Sequence, residues 1–220
     1  MRIHSPKTYY RLFKKGLLGE QTFMEPHVAK QMRRIHGRYF VDVGSNKGNY
    51  PLLLRKNFWK IYAIEPNPSF QKQLKENTRG MNVSILPFAI SEKNGMTKLF
   101  FDGTPGKCDG SADTILPVFD YKPASLPNME KKTFQGKDGI MVETHTLDEL
   151  FKEPLDLVKV DVEGAEFLVL QGASRLLKDG RIRRIIVELH NRDRKRELEQ
   201  YFLGYELRWL DPDHLYAEKR

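Results

Sequence analysis

The sequence contains a single cysteine, Cys108, and no long apolar run. One cysteine excludes an internal disulfide and a zinc site built from several thiolates. A transmembrane helix is not expected, because no stretch of about 18 apolar residues occurs. A signal peptide is not expected either, since Arg11, Lys14 and Lys15 interrupt the apolar residues near the N-terminus. These absences favour a cytoplasmic protein.

Two common nucleotide-binding motifs are also missing. No Gly-x-Gly-x-x-Gly segment occurs, which excludes the dinucleotide-binding fingerprint, and no Gly-Lys-Ser/Thr segment occurs, which excludes the P-loop. A nucleotide-like ligand would therefore need a different kind of loop.

Positive charge is concentrated at one end of a chain whose net charge is +8. Residues 1–38 contain nine lysines and arginines but only two acidic residues, Glu20 and Glu25. We interpret residues 1–38 as a basic N-terminal helical segment, with one helix predicted from Glu25 to Ile35. Such a segment can bind RNA or an anionic membrane surface. A solvated surface that keeps the protein soluble explains the charge equally well.

From residue 39 to residue 220, apolar strand patterns alternate with helical ones, which indicates one domain. Buried strands are predicted at 39–43, 60–65, 155–162 and 183–190, and segment 82–90 is predicted to hold a further strand that ends near Pro87. One helix is predicted over 164–178. This alternation predicts an α/β fold with a Rossmann-like, doubly wound, mostly parallel sheet and helices on both faces. Two final strand patterns predict a C-terminal antiparallel hairpin.

Residues 102–138 interrupt the alternation and are rich in proline and glycine. A connection of this length inside a compact domain is usually functional or lacks regular structure. We therefore predict a lid or insert over the binding site.

Polar residues follow the first two predicted strands. The loop at 42–48 supplies five candidate cofactor-binding residues: Asp42, Gly44, Ser45, Asn46 and Gly48. Gly44 is expected to let the backbone approach a ligand closely, and Gly48 to allow close helix packing. Glu65 ends the second strand, where a carboxylate can accept hydrogen bonds from both hydroxyls of an adenosine ribose. Ligands of doubly wound sheets bind beyond the carboxyl ends of the strands. Together the loop and Glu65 favour an adenosine-containing ligand.

More ionisable residues follow the strand predicted at 155–162. Charges in a central strand are costly unless they are paired or used, so Asp161 is predicted to act in the site. Glu163 is a second candidate catalytic residue, whereas Glu166 is expected mainly to cap the next helix. Lys159 is expected to pair with an acid.

Glu188 and His190 end the following strand, at the same predicted edge of the sheet as Asp161. His190 is a candidate proton acceptor because an unperturbed imidazole has a pKa near 6.5. A purely structural role for His190 stays open. The other histidines lack metal-ligand spacing, and no metal site is predicted.

Six segments follow one another between residues 41 and 190: VDVGSNKGNY, YAIEPNPS, ILPFAIS, VETHTLDEL, LVKVDVEGAE and IIVELH. Together they resemble the FkbM family of class I methyltransferases. The resemblance implies that the chain binds S-adenosyl-L-methionine and releases S-adenosyl-L-homocysteine.

The resemblance also implies roles for individual residues. Asp42, Gly44 and Asn46 would face the methionine part of the cofactor, and Glu65 would hold the ribose. Three further residues would lie at the adenine or the methyl donor: Asn67 near the adenine, Ala89 beside it, and Asp161 next to the methyl donor.

The expected reaction is O-methylation of a sugar, glycolipid or small-molecule hydroxyl, with Asp161 orienting the reactants and His190 accepting the proton. One alternative is RNA methylation that uses the basic segment. Another is a non-catalytic module that binds an adenosine nucleoside. Association with a membrane surface is compatible with catalysis on a lipid-linked sugar.

Overall fold

A seven-stranded sheet forms the centre of the computed structural model, which describes residues 25–101, 113–121 and 132–220. Across the sheet the strands are β11 (Tyr205–Trp209), β12 (His214–Lys219), β10 (Arg184–Glu188), β9 (Leu157–Val160), β1 (Gly37–Val43), β2 (Phe58–Ile64) and β3 (Val83–Leu86). The strands from β10 to β3 are parallel, whereas β12 and β11 pair antiparallel. The predicted mostly parallel sheet and its C-terminal hairpin are confirmed.

Helices pack on both faces of this sheet. They are α1 (Pro26–Met32), α2 (Asn49–Leu53), α3 (Pro68–Asn77), α4 (Leu147–Leu150), α5 (Glu166–Gln171), α6 (Ser174–Lys178) and α7 (Lys195–Glu199), with 3-10 turns at Arg192–Arg194 and Gln200–Phe202. Buried residues of α1 and α2 form one apolar cluster, and those of α4 to α7 form another. The two clusters contact opposite faces of the sheet.

Side-chain alternation along β1 explains how one strand serves both clusters. Successive strand residues point to opposite faces. Phe40 packs against the α1 and α2 cluster, whereas Val41 and Val43 pack against the α4 to α7 cluster. Apolar burial on both faces is the arrangement that parallel sheets require.

Segment 82–90, in which one strand was predicted, contributes to two sheets. Residues 83–86 form β3 of the main sheet, and β4 (Ala89–Ile90) pairs with β8 (Gly139–His145) in a separate sheet. Pro87 lies at the break, where its ring nitrogen has no hydrogen to donate to either sheet. The prediction that the strand ends near Pro87 is confirmed, whereas the pairing of Ala89 and Ile90 in a second sheet was not predicted.

The single helix predicted over 164–178 is also interrupted, between α5 and α6. Gly172 lies against the backbone of Ser91, where an added Cβ atom would be 2.1 Å from the Ser91 carbonyl oxygen. The Asp148 carboxylate accepts the backbone N–H groups of Arg175 and Leu176, each at 2.9 Å, and so satisfies the start of α6. Tertiary contacts therefore divide a sequence that is helical by its local pattern.

Two small sheets flank the main one. β5 (Gly95–Phe100) pairs antiparallel with β8, and β6 (Val118–Tyr121) pairs antiparallel with β7 (Lys132–Gln135). β6 and β7 both fall within the segment predicted as a lid. Residues 102–112 and 122–131 of that segment lie outside the described residues, so the lid stays a prediction.

The described part of the basic segment is integrated into the domain. Val28, Ala29 and Met32 of α1 are completely buried in the cluster shared with α2. The basic residues that follow them in the described chain are exposed: Lys30, Arg33, Arg34 and Arg38. Residues 1–24 lie outside the described residues, and their binding to RNA or membranes stays a prediction. None of the described helices is long and apolar enough to cross a bilayer.

Candidate active site

The loop after β1 passes very close to the loop after β9. Gly44 has a φ of +84°, and a Cβ atom added there would lie 1.7 Å from the carbonyl oxygen of Asp161. Only glycine fits this position, because any side chain would collide with the neighbouring backbone. The sequence suggested that Gly44 allows close approach to a ligand. The structure gives a different reason, which is the contact between two loops of the site.

Gly48 fulfils the packing role that the sequence indicated. Its φ is +85°, and an added Cβ atom would lie 2.6 Å from a methyl carbon of Leu74 on α3. Asn46, between the two glycines, also has a positive φ of +47°. These left-handed residues make a tight loop in which the backbone N–H of Asn46 reaches Glu65.

Glu65 is buried directly after β2 and orders the loops around it. Its Oε2 atom accepts the backbone N–H of Asn46 at 2.8 Å, and its Oε1 atom accepts the backbone N–H of Asn67 at 2.8 Å. Burial raises the pKa of Glu65 to about 7, although both N–H groups oppose this shift. Each oxygen keeps lone pairs for a second donor.

Asn67 connects the Glu65 loop to the segment predicted as a lid. Its side-chain oxygen accepts the backbone N–H of Ser69 at 2.8 Å and caps α3. Its amide nitrogen donates to Asp113 at 2.6 Å. Asp113 is thereby placed beside the Glu65 loop, a contact that the sequence did not indicate.

Asp42 lies below the loop and is almost fully buried. Its Oδ2 atom accepts the Ser45 hydroxyl at 2.8 Å, while Oδ1 has no hydrogen-bond partner among the described residues. Burial raises the pKa of Asp42 to about 6, against the attraction of Lys159. Asp42 and Ser45 shape the loop from beneath.

An open cleft of about 640 Å³ lies at this edge of the sheet. Six of the predicted site residues line it: Gly44, Asn46, Glu65, Ala89, Asp161 and Glu163. Asp42, Ser45, Gly48, Asn67 and His190 are not among its lining residues and support it from behind.

One wall of the cleft is apolar and was missed by the sequence reasoning. Phe88, Leu99 and Ile115 contribute to it, and Phe88 contacts His145 with ring centroids 4.3 Å apart. Phe88 directly precedes Ala89, so its position in the ILPFAIS segment was a usable signal. Ile115 lies in a segment without periodicity, and no sequence signal indicated it.

Asp161 is held by the buried Lys159, for which the sequence predicted pairing with an acid without naming the acid. Lys159 Nζ lies 2.7 Å from Asp161 Oδ2, and only 1% of the lysine side chain is exposed. Burial alone would raise the pKa of Asp161, but Lys159 and His190 hold it below the ordinary value. Asp161 is therefore an anion that lines the cleft.

His190 is buried between two carboxylates. Its Nδ1 atom lies 2.6 Å from Glu166 Oε1, and its Nε2 atom lies 3.0 Å from Glu163 Oε2. Burial alone would lower the pKa of His190, but Glu163 and Glu166 raise it well above 6.5. The two carboxylates therefore favour the protonated form of His190.

The two glutamates beside His190 have different surroundings. Glu166 also accepts the backbone N–H of Gly164 at 2.8 Å, so it holds the loop as well as the histidine. Its contact with His190 was not foreseen from the sequence. Glu163 lines the cleft, and burial raises its pKa to about 7 despite the attraction of His190.

This fold and site define a methyltransferase-like α/β domain with a cleft at the carboxyl edge of its sheet. A family model described as a methyltransferase FkbM domain matches residues 42–213. The chain belongs to the FkbM methyltransferase family, as its sequence motifs predicted.

Known relatives agree with this assignment. The crystal structure of methyltransferase FkbM from Methylobacillus flagellatus KT aligns with a TM-score of 0.56 at 14% identity, covering 96% of this chain and 58% of that one. The hexuronic acid methyltransferase AglP of Haloferax volcanii is 28% identical over 149 residues, which are 68% of this chain and 54% of AglP. The 2-O-methyltransferase NoeI of Sinorhizobium fredii is 28% identical over 145 residues, 62% of this chain and 58% of NoeI. The chain thus spans little more than half the length of these curated relatives.

The contact between Gly44 and Asp161 generates a stability prediction. We expect Gly44→Ala to lower the free energy of unfolding by more than about 3 kcal/mol, because it combines left-handed strain with a backbone collision. Gly80→Ala is the matched control, since Gly80 has a φ of +81° but open space within 4 Å of its added Cβ. The control substitution should lower the free energy of unfolding by only about 1–2 kcal/mol. Urea unfolding measures the free energy of unfolding of both variants. Equal decreases would show that the contact between Gly44 and the Asp161 carbonyl contributes nothing to the difference.

Proposed function

We propose that this chain is an S-adenosyl-L-methionine-dependent methyltransferase that acts on a hydroxyl of a sugar, glycolipid or related small molecule. The observation that carries the proposal is Glu65. It is a buried carboxylate that lines the cleft, and each of its oxygens is already aligned by one backbone N–H. Such a carboxylate is suited to accept hydrogen bonds from two neighbouring ribose hydroxyls.

The residues of the cleft fit the proposed cofactor. Glu65 would hold the ribose, and the apolar wall of Phe88, Leu99 and Ile115 offers a surface for the adenine ring. The 42–48 loop and Asp161 would hold the methionine part, which carries a positive sulfonium that a carboxylate attracts. When bound, S-adenosyl-L-methionine supplies an electrophilic methyl group. The protein positions the acceptor, and positioning can contribute up to about 7–11 kcal/mol.

The acceptor hydroxyl must also lose its proton, and the site favours Glu163 as the group that takes it. Glu163 lines the cleft and has a pKa near the operating pH, which is the condition for an efficient general base. His190 would first have to lose the proton that it holds between two carboxylates. We therefore assign His190 a positioning role toward Glu163, which modifies the expectation that His190 itself is the base. Asp161 keeps its proposed orienting role.

The choice of a sugar hydroxyl as acceptor rests on the relatives. AglP is named for hexuronic acids and NoeI for 2-O-methylation. RNA methylation through the basic segment is the competing function, and a non-catalytic nucleoside-binding module is a third.

An acceptor assay separates these functions. The protein is incubated with methyl-labelled cofactor and with uronic-acid glycans, neutral glycans, glycolipid extract or total RNA. We expect label in a carbohydrate fraction as an alkali-stable methyl ether, which distinguishes hydroxyl methylation from a carboxyl methyl ester. Label in RNA alone would transfer the assignment to RNA methylation. Cofactor binding without transfer to any fraction would favour the non-catalytic module.

Cofactor binding is predicted to depend on Glu65. Calorimetric titration with S-adenosyl-L-homocysteine should show Glu65→Gln binding at least about tenfold more weakly, because hydrogen bonds to a charged group contribute about 1.5–3 kcal/mol. Wild-type affinity should also fall as the pH drops below about 7, where Glu65 becomes protonated. Glu76→Gln, on the exposed surface of α3, is the control, and unfolding curves confirm that each variant is folded. Unchanged affinity in Glu65→Gln would exclude Glu65 from the site.

The proton transfer is predicted to give a rate that rises with pH through about 7, as Glu163 loses its proton. Glu163→Gln should lower kcat by about 10²–10⁴-fold and abolish this rise. His190→Gln should lower kcat with little change in cofactor affinity. It should also shift the pH at which the rate rises, because Glu163 loses its charged neighbour. If Glu163→Gln keeps the wild-type pH profile while His190→Gln abolishes it, His190 is the base.

A further inference from the structure

A second cluster of ionisable side chains lies behind the cleft. Glu25 precedes α1, Glu188 ends β10, and His214 begins β12. These residues come from distant parts of the chain, and none is among the described residues that line the cleft. Their ligand atoms lie within 4.8 Å of one another.

The spacing of these atoms suits a metal ion. His214 Nε2 lies 3.3 Å from Glu188 Oε2 and 3.6 Å from Glu25 Oε2. Nitrogen and oxygen ligands lie about 2.0–2.2 Å from a bound transition metal, so two ligand atoms at tetrahedral or octahedral angles are about 3.0–3.5 Å apart. The three groups are therefore close to coordination spacing.

The state of His214 is an independent sign of a missing ligand. Only 4% of the residue is exposed, yet its Nε2 atom makes no hydrogen bond of good geometry among the described residues and faces the two glutamate carboxylates only at ion-pair distance. Its other nitrogen, Nδ1, lies 2.8 Å from Asp211 Oδ1. Metal-bound histidines commonly have this arrangement, in which a carboxylate orients the ring and the opposite nitrogen binds the ion. Buried polar atoms without partners are rare and require an explanation.

The two glutamates are partly exposed and offer carboxylate oxygens to complete such a site. Their side chains are 21% and 22% exposed, so an ion can enter from solvent. Tyr50 donates its hydroxyl to Glu25 and orients that carboxylate. Lys159 is bonded to Asp161, and its charge also acts on both glutamates. One imidazole and two carboxylates suit manganese, zinc or iron in the divalent state.

We propose that Glu25, Glu188 and His214 form a binding site for one divalent transition-metal ion. Three protein ligands leave coordination positions for water or for an oxygen of a small molecule. A bound ion would also link Glu25, directly before α1, to His214 of the C-terminal hairpin. The proposal does not depend on methyl transfer, because metal binding is measured directly.

The test is titration of the full chain with Mn²⁺ after removal of bound metal by a chelator. Calorimetry and electron paramagnetic resonance should show one ion per chain. His214→Gln and Glu25→Gln should each weaken binding at least about tenfold. Glu218→Gln is the matched control, because it removes a carboxylate on the same strand that pairs with Arg184 instead. This control should bind Mn²⁺ like the wild type.

The competing cluster in the cleft supplies the decisive comparison. Asp161, Glu163 and His190 also lie within coordination reach of one another. Glu163→Gln should leave Mn²⁺ binding intact if the ion occupies the proposed site. Loss of binding in Glu163→Gln but not in Glu25→Gln would overturn the proposal, as would no binding by the wild type at millimolar Mn²⁺. Should His214→Gln fail to fold, the partly exposed Glu25 still provides a usable variant.

Discussion

A buried lysine in the central strand is the constraint on which the rest of the site depends. Removing an ammonium group from water costs several kcal/mol, and only close carboxylates can offset that cost. Burial alone would lower the pKa of Lys159, but Asp161, Glu25, Glu188 and Asp42 raise it well above its ordinary value. The lysine therefore stays charged. Its partners Asp42, Asp161 and Glu188 lie in β1, directly after β9 and in β10, close to one edge of the sheet. Asp161 reaches the cleft already oriented by this ion pair.

Two histidines extend this network in similar ways. In each, a carboxylate engages Nδ1 and leaves Nε2 facing further acids: Glu166 for His190, and Asp211 for His214. Glu188 lies between them, with Oε1 3.7 Å from His190 Nε2 and Oε2 3.3 Å from His214 Nε2. A change of charge at either histidine is therefore felt at the other through one shared carboxylate. This coupling links the cleft to the cluster behind it.

Much of this arrangement could be predicted from the sequence, because it depends on local patterns. Buried parallel strands are continuous apolar runs, and functional residues directly follow them, so Glu65 and Asp161 were placed at the correct edge. Other features depended on contacts between distant segments. The break at Gly172 follows from its packing against Ser91, and the bond between Asn67 and Asp113 joins residues that share no local pattern. Gly44 was predicted to lie in the cofactor loop. The contact that requires glycine there is with the carbonyl oxygen of Asp161, directly after the distant strand β9.

The sequence by itself determined the class of fold, the family and the residues available for chemistry, since periodicity and short motifs are properties of neighbouring residues. Only the tertiary structure decided their charge states and partnerships. Glu163 and His190 have ordinary pKa values as isolated side chains. Burial raises the pKa of Glu163, whereas Glu163 and Glu166 raise the pKa of His190 against the effect of burial, and the proposal of Glu163 as proton acceptor rests on this difference. Likewise, nothing local connects Glu25 to His214, which meet because the strands β10 and β12 pair and α1 packs beside them. Electrostatic interactions act through space, so their outcome is fixed by the fold.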